Sequence, residues 1–335
     1  MHVKREALKP LTVSRCISGT LMEVSFYGSA MPLHIQTPLL TSRSLGLAAG
    51  ATVLLKLDAL QPPGSFKIRG IGYACETHAR QGKQRFISSS GGNAGIAVAY
   101  AARQLGLPAV VVVPQTTTQR AKDLIAMEGA EVIVHGATWQ EANGMALSLV
   151  GATDAFIHPF DDPLLWTGHA TIIDEVVTAG EQPDAVVLSV GGGGLLCGVH
   201  EGLRRNGLGH VPIIAVETEG ADSFAQSVKA GKRIELDAIR SVATSLGAKQ
   251  VSEQAFKLAQ SADIRSVTVT DAAAVTACKR FLDDHRVLVE PACGASLAPV
   301  YDHASVLEGF RKILVIVCGG AGVTVGQLEQ YFAAG

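Results

Sequence analysis

Four short segments of the 335-residue chain bring together residue types suited to chemistry on a small, charged molecule. Lys67 stands in Ser65-Phe66-Lys67-Ile68-Arg69-Gly70, just after Pro62-Pro63-Gly64, with an apolar residue on each side. Most lysines are solvated surface residues. An amine partly withdrawn from water, however, has a lowered pKa and can attack a carbonyl to form an imine. Gly191-Gly192-Gly193-Gly194 follows the apolar run Ala185–Val190 and precedes the helix-like Leu195–Arg205. Residues without Cβ let backbone N–H groups converge, and the helix N-terminus adds partial positive charge, so the turn suits a phosphate. A merely close-packed turn would use the same glycines.

The nucleotide versions of such a loop do not fit. Leu196 or Cys197 stands where a dinucleotide fingerprint needs its third glycine, and no GxxxxGK[ST] occurs. A phosphate belonging to neither a dinucleotide nor ATP is therefore favoured. A third segment, Ser88-Ser89-Ser90-Gly91-Gly92-Asn93-Ala94-Gly95, lies between a strand and a helix and offers hydroxyls, bare amides and a carboxamide. It reads as a nest for a carboxylate or phosphate, since a plain helix cap needs only one such residue. Fourth, Cys318 opens Cys318-Gly319-Gly320-Ala321-Gly322 after the run Ile313–Val317. The carboxyl end of a strand is where open α/β sheets bind ligands, although a buried structural thiol is the commoner fate of cysteine.

The elements around these segments alternate between short β-branched runs and longer amphipathic stretches, the pattern of parallel sheets with helical crossovers. Strands are predicted at Thr52–Leu57, Arg85–Ser89, Ala109–Val113, Glu131–Val134, Ala155–His158, Ala185–Val190, Ile213–Glu217, Ser266–Thr270 and Ile313–Val317. Helices are predicted at Asn93–Leu105, Gln119–Glu128, Trp139–Val150, Leu165–Ala179 and Asp271–Asp284, besides Leu195–Arg205. Nine strands are many for one open sheet, so two lobes are expected. Residues 31–67 and 164–335 would form a large domain, 68–163 a small α/β insertion, and 1–30 a non-native or poorly ordered extension.

Composition narrows the classes further. An apolar fraction of 47%, 36 glycines and 5% aromatics suit an α/β core. A net charge of −2 leaves no general basic field for nucleic acid. No apolar run reaches the roughly 18 residues a membrane span needs. The six cysteines show no CxxC pair, and free thiols in a reducing cytosol are the expected state. The ten histidines form neither HExxH nor a zinc-spaced cluster.

Taken together and in order, GSFKIRG at 64–70, SSGGNAG at 89–95, GGGGLLCG at 191–198, VEPACGAS at 289–296 and VIVCGG at 315–320 resemble the serine/threonine dehydratase family. These are fold-type II pyridoxal phosphate enzymes, and the resemblance runs from about Met31 to the end of the chain. It implies a two-lobed α/β fold like that of the tryptophan synthase β subunit. Two mostly parallel twisted sheets would be flanked by helices, with pyridoxal 5'-phosphate in the cleft. It also implies roles for named residues. Lys67 would be the Schiff-base lysine and Phe66 would pack on a face of the cofactor ring. Asn93 would bond its phenolic oxygen, Gly191, Gly192, Gly193, Gly194 and Leu195 would grip its phosphate, and Cys318 would meet its nitrogen. Ser90, Gly91, Asn93 and Ala94 would hold the substrate carboxylate. A monovalent cation, usually potassium in the family, maps onto Glu217, Ala221, Ser223, Leu246 and Ala248.

The implied reaction is β-elimination of water from L-serine to give pyruvate and ammonia, with L-threonine giving 2-oxobutanoate. A cytoplasmic homodimer acting on a small amino acid is the implied setting. Two features depart from the family pattern. Gly91 stands where some members carry alanine, and Ala321-Gly322 replaces a common polar pair. Alternatives remain open at this point. Ser245, in Ala243-Thr244-Ser245, could serve the opposite ring face in a serine racemase. A β-replacing enzyme of the same fold would be expected to carry a different asparagine-bearing lysine segment and a threonine-rich TSGNTG loop, and neither is present; a cofactor-binding protein with little turnover is the remaining alternative.

Overall fold

The computed structural model describes residues 31–334, and the extension expected over 1–30 lies outside them. The chain begins with β1 (Leu39–Ser42), α1 (Arg43–Ala49), β2 (Thr52–Lys56), α2 (Lys67–Arg80), β3 (Arg85–Ser88) and α3 (Asn93–Leu105). It continues through β4 (Ala109–Val113), α4 (Gln119–Met127), β5 (Glu131–Val134), α5 (Trp139–Ser148), β6 (Asp154–Phe156) and α6 (Pro163–Thr178). Then come β7 (Ala185–Ser189), α7 (Gly194–Arg205), β8 (Ile213–Thr218), α8 (Ser223–Ala230), α9 (Glu253–Ser261) and β9 (Ile264–Val269). The last elements are α10 (Asp271–His285), α11 (Pro291–Tyr301), β10 (Lys312–Ile316) and α12 (Val325–Ala334).

Six strands form one sheet in the order β1-β2-β10-β7-β8-β9, and four form another in the order β5-β4-β3-β6. All pairings are parallel except β1 with β2. Strands such as β4, β7 and β8 are buried along their whole length, because helices cover both faces of a parallel sheet. Each sheet has its own apolar core. One gathers Leu55, Val187, Val216, Phe281 and Leu314, the other Ile71, Phe86, Ala97, Val111 and Ile125.

All nine predicted strands are present, β4 and β5 with the predicted bounds and the other seven with ends shifted by one or two residues. The tenth, β1, is a four-residue edge strand that sequence patterning does not reveal. Six helices also escape prediction: α1, α2, α8, α9, α11 and α12. The largest consequence falls on Lys67, which opens α2 and does not sit in an open loop. That helix packs almost backbone to backbone on α6. A Cβ at Gly70 would lie 2.6 Å from the Leu165 carbonyl oxygen, and one at Gly168 would lie 2.3 Å from that of Arg69. The two glycines thus fix the approach that places the start of α2.

Parallel order aligns the carboxyl ends of the strands within each sheet. From β2, β10 and β7 emerge the segments carrying Lys67, Cys318 and the four glycines. From β3 and β6 emerge Ser89–Gly92 and His158–Phe160.

Candidate active site

The lysine segment is strapped to the thiol segment. Phe66 N–H donates to the Cys318 carbonyl at 3.0 Å, and Gly320 N–H donates to the Gly64 carbonyl at 2.9 Å. Gly319 has φ +95°, and a Cβ there would meet the Gly64 carbonyl oxygen at 2.4 Å, so this crossing requires glycine. The Phe66 ring is tilted against the His169 ring, with centroids 4.9 Å apart.

Lys67 projects from the first turn of α2, and its Nζ donates to the Pro159 carbonyl at 2.6 Å. Burial pulls its pKa down to about 8, against the upward influence of Cys318 and Glu290. At pH 7 such an amine is neutral in about a tenth of the molecules, an ordinary lysine in fewer than about one in a thousand. Labelling of Lys67 by an amine-directed reagent, read by mass spectrometry on the cofactor-free protein, should therefore rise with pH to a midpoint near 8. A midpoint above 10 would contradict the desolvation argument.

Two residues beyond Lys67, Arg69 is fully buried and uses its whole guanidinium. It bonds Asp58 through Nε and Nη2 at 2.6 and 2.9 Å, and Glu175 through Nη1 and Nη2 at 2.6 and 2.9 Å. Thr171 and Thr37 accept from the same group. Buried Lys56 pairs with Glu175 and donates to the Thr37 carbonyl, which balances the two acids with two cations. This cluster anchors the first turn of α2 to β2 and α6.

The glycine turn is bare and tightly packed at once. Among the described residues, the N–H groups of Gly191, Gly192 and Gly193 meet no protein acceptor. A Cβ at Gly192 would lie 2.2 Å from the Phe160 ring, one at Gly193 (φ +92°) 2.4 Å from Ala255 Cβ, and one at Gly194 2.6 Å from the Phe160 carbonyl oxygen. Gly191 runs past the backbone of Leu246. The segment His158-Pro159-Phe160 thus touches both the lysine and the glycine turn. Leu195, the second residue of α7, is itself buried.

On the opposite wall, Asn93 opens α3. Its Nδ2 donates to Glu290 Oε1 at 2.8 Å and lies 3.4 Å from Ser245 Oγ, while its Oδ1 accepts from Ala321 N–H at 3.2 Å. Ser90 Oγ accepts from Gly92 N–H, and Ser89 Oγ donates to Asn143. The Ala94 side chain is buried, so it offers this loop only its backbone. A methyl at Gly91 would lie 2.4 Å from Thr117 Oγ1, so alanine here would require Thr117 to turn aside. Cys318 is buried, and hydrogen bonding with Cys293 together with burial pushes its thiol pKa well above the usual value.

A family model described as pyridoxal-phosphate dependent enzyme matches residues 30–319. The chain belongs to that family. It is 50% identical over 312 residues to the human protein named L-serine dehydratase/L-threonine deaminase, covering 90% of this chain and 95% of the relative. It is 45% identical over 317 residues to the human serine dehydratase-like protein, covering 91% and 96%. Among solved structures, a fungal L-serine ammonia-lyase from Rhizomucor miehei superposes with a TM-score of 0.85 at 36% identity, covering 89% of this chain and 98% of that one. Maize serine racemase superposes with a TM-score of 0.80 at 27% identity, covering 90% and 93%.

The residues fit a pyridoxal phosphate group. They supply unpaired backbone amides at a helix N-terminus for an anion, a lysine amine of lowered pKa for an aldehyde, and a neutral thiol. Ser189 Oγ, at the entry to the glycine turn, and Ser65 Oγ, beside Phe66, are buried without a protein partner. In this pyridoxal-phosphate-dependent enzyme, Gly194→Ala should press a methyl onto the Phe160 backbone, which no rotamer change relieves. Cofactor affinity, followed by absorbance titration, should fall about tenfold, in line with overpacking of about 1–3 kcal/mol. Unchanged affinity would mean that the turn is looser than the packing indicates.

The expected cation residues lie on two stretches of chain, 217–223 and 246–248. Glu217, at the end of β8, is wholly buried and accepts from Phe224 and Ala225 N–H at 2.9 and 2.7 Å. Ser223 Oγ is buried without a partner nearby on α8, and Ala221 turns the chain between β8 and α8. Leu246 and Ala248 sit in a separate turn, where the Leu246 carbonyl accepts from Ala248 N–H. Sequence reasoning missed Pro159, Phe160, His169, the Asp58–Arg69–Glu175 cluster and any role for Glu290. Of these, Glu290, as the acid in VEPACGAS, and Arg69, in GSFKIRG, stood in motifs the sequence had singled out.

Proposed function

We propose that this chain is a pyridoxal phosphate-dependent L-serine dehydratase, releasing pyruvate and ammonia from L-serine and 2-oxobutanoate from L-threonine. The observation that carries the reading is the Lys67 amine, set on the Pro159 carbonyl with a pKa pulled down to about 8. The names of the human and fungal relatives support the choice of substrate. Bound pyridoxal phosphate supplies an electron sink for the substrate Cα. Gly191 to Leu195 would hold its phosphate on backbone amides, Phe66 would back its ring, Asn93 would donate to its phenolic oxygen, and Cys318 would meet its nitrogen as a neutral thiol. Ser90, Gly91, Asn93 and Ala94 would bind the substrate carboxylate through the serine hydroxyl and backbone N–H groups. Lys67, as the free amine, removes the α-proton.

In this reading residues 31–67 with 164–335 act as the large domain and 68–163 as the small one. The separate sheets and cores support that division. The protein works in the cytoplasm as a homodimer, with potassium held by Glu217, Ala221, Ser223, Leu246 and Ala248. The test is release of keto acid from a panel of L- and D-amino acids, with D-serine assayed in parallel. Pyruvate from L-serine is expected as the main product. Ser245, 3.4 Å from Asn93 Nδ2, keeps racemisation as the second reading, and D-serine exceeding pyruvate would establish it.

A further inference from the structure

We infer that Glu290 is a positioning residue that fixes which end of the Asn93 carboxamide faces the ligand pocket. The inference rests on the proposed function for the role of Asn93 and on the hydrogen bonds for its own part. A carboxamide has two chemically different ends that fill almost the same space, so a lone asparagine can present either. Asn93 is held at both. Ala321 N–H is a donor only and claims Oδ1, and a carboxylate is an acceptor only and claims one Nδ2 hydrogen through Glu290 Oε1. The second Nδ2 hydrogen remains for the pocket or for Ser245 Oγ. The amide therefore presents N–H, the group needed to donate to an oxygen atom.

The surroundings are shaped for this carboxyl. Glu290 is the residue before α11, with Pro291 at the first helical position, and it is only 8% exposed. Gly320 has φ +135°, and a Cβ there would fall 2.1–2.2 Å from the Glu290 carboxyl carbon, Cγ and Oε2. One side chain thus ties together the start of α3, the turn at Ser245 and the turn after β10. Its charge is also felt from other elements: it raises the pKa values of Lys67 on α2, Cys318 after β10 and Cys278 on α10. Burial lifts Glu290 itself to about 7, with Ser245, Asn93 and Lys67 pulling the other way. A group that merely filled space would be replaced by glutamine without loss. Glutamine, with a donor as well as an acceptor, no longer compels Asn93 to donate.

The test uses holoenzyme of the parent, Glu290→Gln, Asn93→Ala and the double variant. Cofactor affinity, the pH dependence of the visible absorbance, kcat and KM are each measured. Glu290→Gln should raise the cofactor Kd and lower kcat, each about five- to tenfold. KM should move less than about threefold, and the pH dependence of the visible absorbance should differ from that of the parent. In the Asn93→Ala background the same substitution should alter Kd less than about twofold, because the partner is already gone. A Glu290→Gln enzyme indistinguishable from the parent, or an equal effect with and without Asn93, overturns the inference. Loss of soluble protein in Glu290→Gln but not in Asn93→Ala would assign the residue to folding, and overturns it too. A parent that binds cofactor but makes no keto acid defeats the proposed function alone, since affinity and absorbance still report on Glu290.

Discussion

Replacing Lys67 with alanine should reduce keto-acid release from L-serine by at least about 10,000-fold, in a protein that still folds and still binds the cofactor's phosphate. The size follows from losing two roles at once, covalent capture of the aldehyde and transfer of the α-proton. The fold should survive because the amine makes a single hydrogen bond, to the Pro159 carbonyl. The ion cluster that anchors α2 begins two residues further on, at Arg69. Retained phosphate binding follows from the glycine turn, whose amides belong to another strand and owe nothing to position 67. The measurement is single-turnover pyruvate formation beside a circular-dichroism melt. Activity above about one per cent of the parent would remove Lys67 from the reaction.

How much of this was legible in the sequence depends on what kind of residue carried the information. The bare glycines, the serine- and glycine-rich loop and the thiol after an apolar run were readable, because such residues have few reasons to cluster at strand ends. The strands were readable too, since β4, β7 and β8 are apolar throughout. By contrast α11, Pro291–Tyr301, is buried on every side and carries Pro299 within it, so it has no polar face to betray a helical period. The helix α2 was hidden by Gly70 and Gly72, which local propensity counts against a helix. Gly70 is required by the approach of α6, a tertiary fact. The two acids that hold Arg69 lie 11 and 106 residues from it, and single charges so far apart read as surface. Glu290 stood in a quoted motif. Its role became visible only when Asn93, 197 residues away, was found against its carboxyl.

Arg69→Met should cost about 3–5 kcal/mol of stability and lower the thermal midpoint by roughly 6–15 °C, the largest stability loss expected from one substitution near the site. Methionine keeps much of the volume and removes the charge. What destabilises is therefore the remainder: Asp58 wholly buried and Glu175 nearly so, left facing only Lys56. Burial opposes the guanidinium's charge, but Asp58 and Glu175 outweigh it and hold its pKa above the ordinary arginine value. Lysine is no substitute, because a point charge cannot make the two forked contacts at once. Asp58→Asn in the Arg69→Met background should recover part of the loss by removing the stranded carboxylate, which a simple cavity effect would not allow. The loosened α2 should also displace Lys67, so kcat should fall in whatever fraction remains folded. A denaturant midpoint within about 1 kcal/mol of the parent would show that the cluster neither stabilises α2 nor positions its amine.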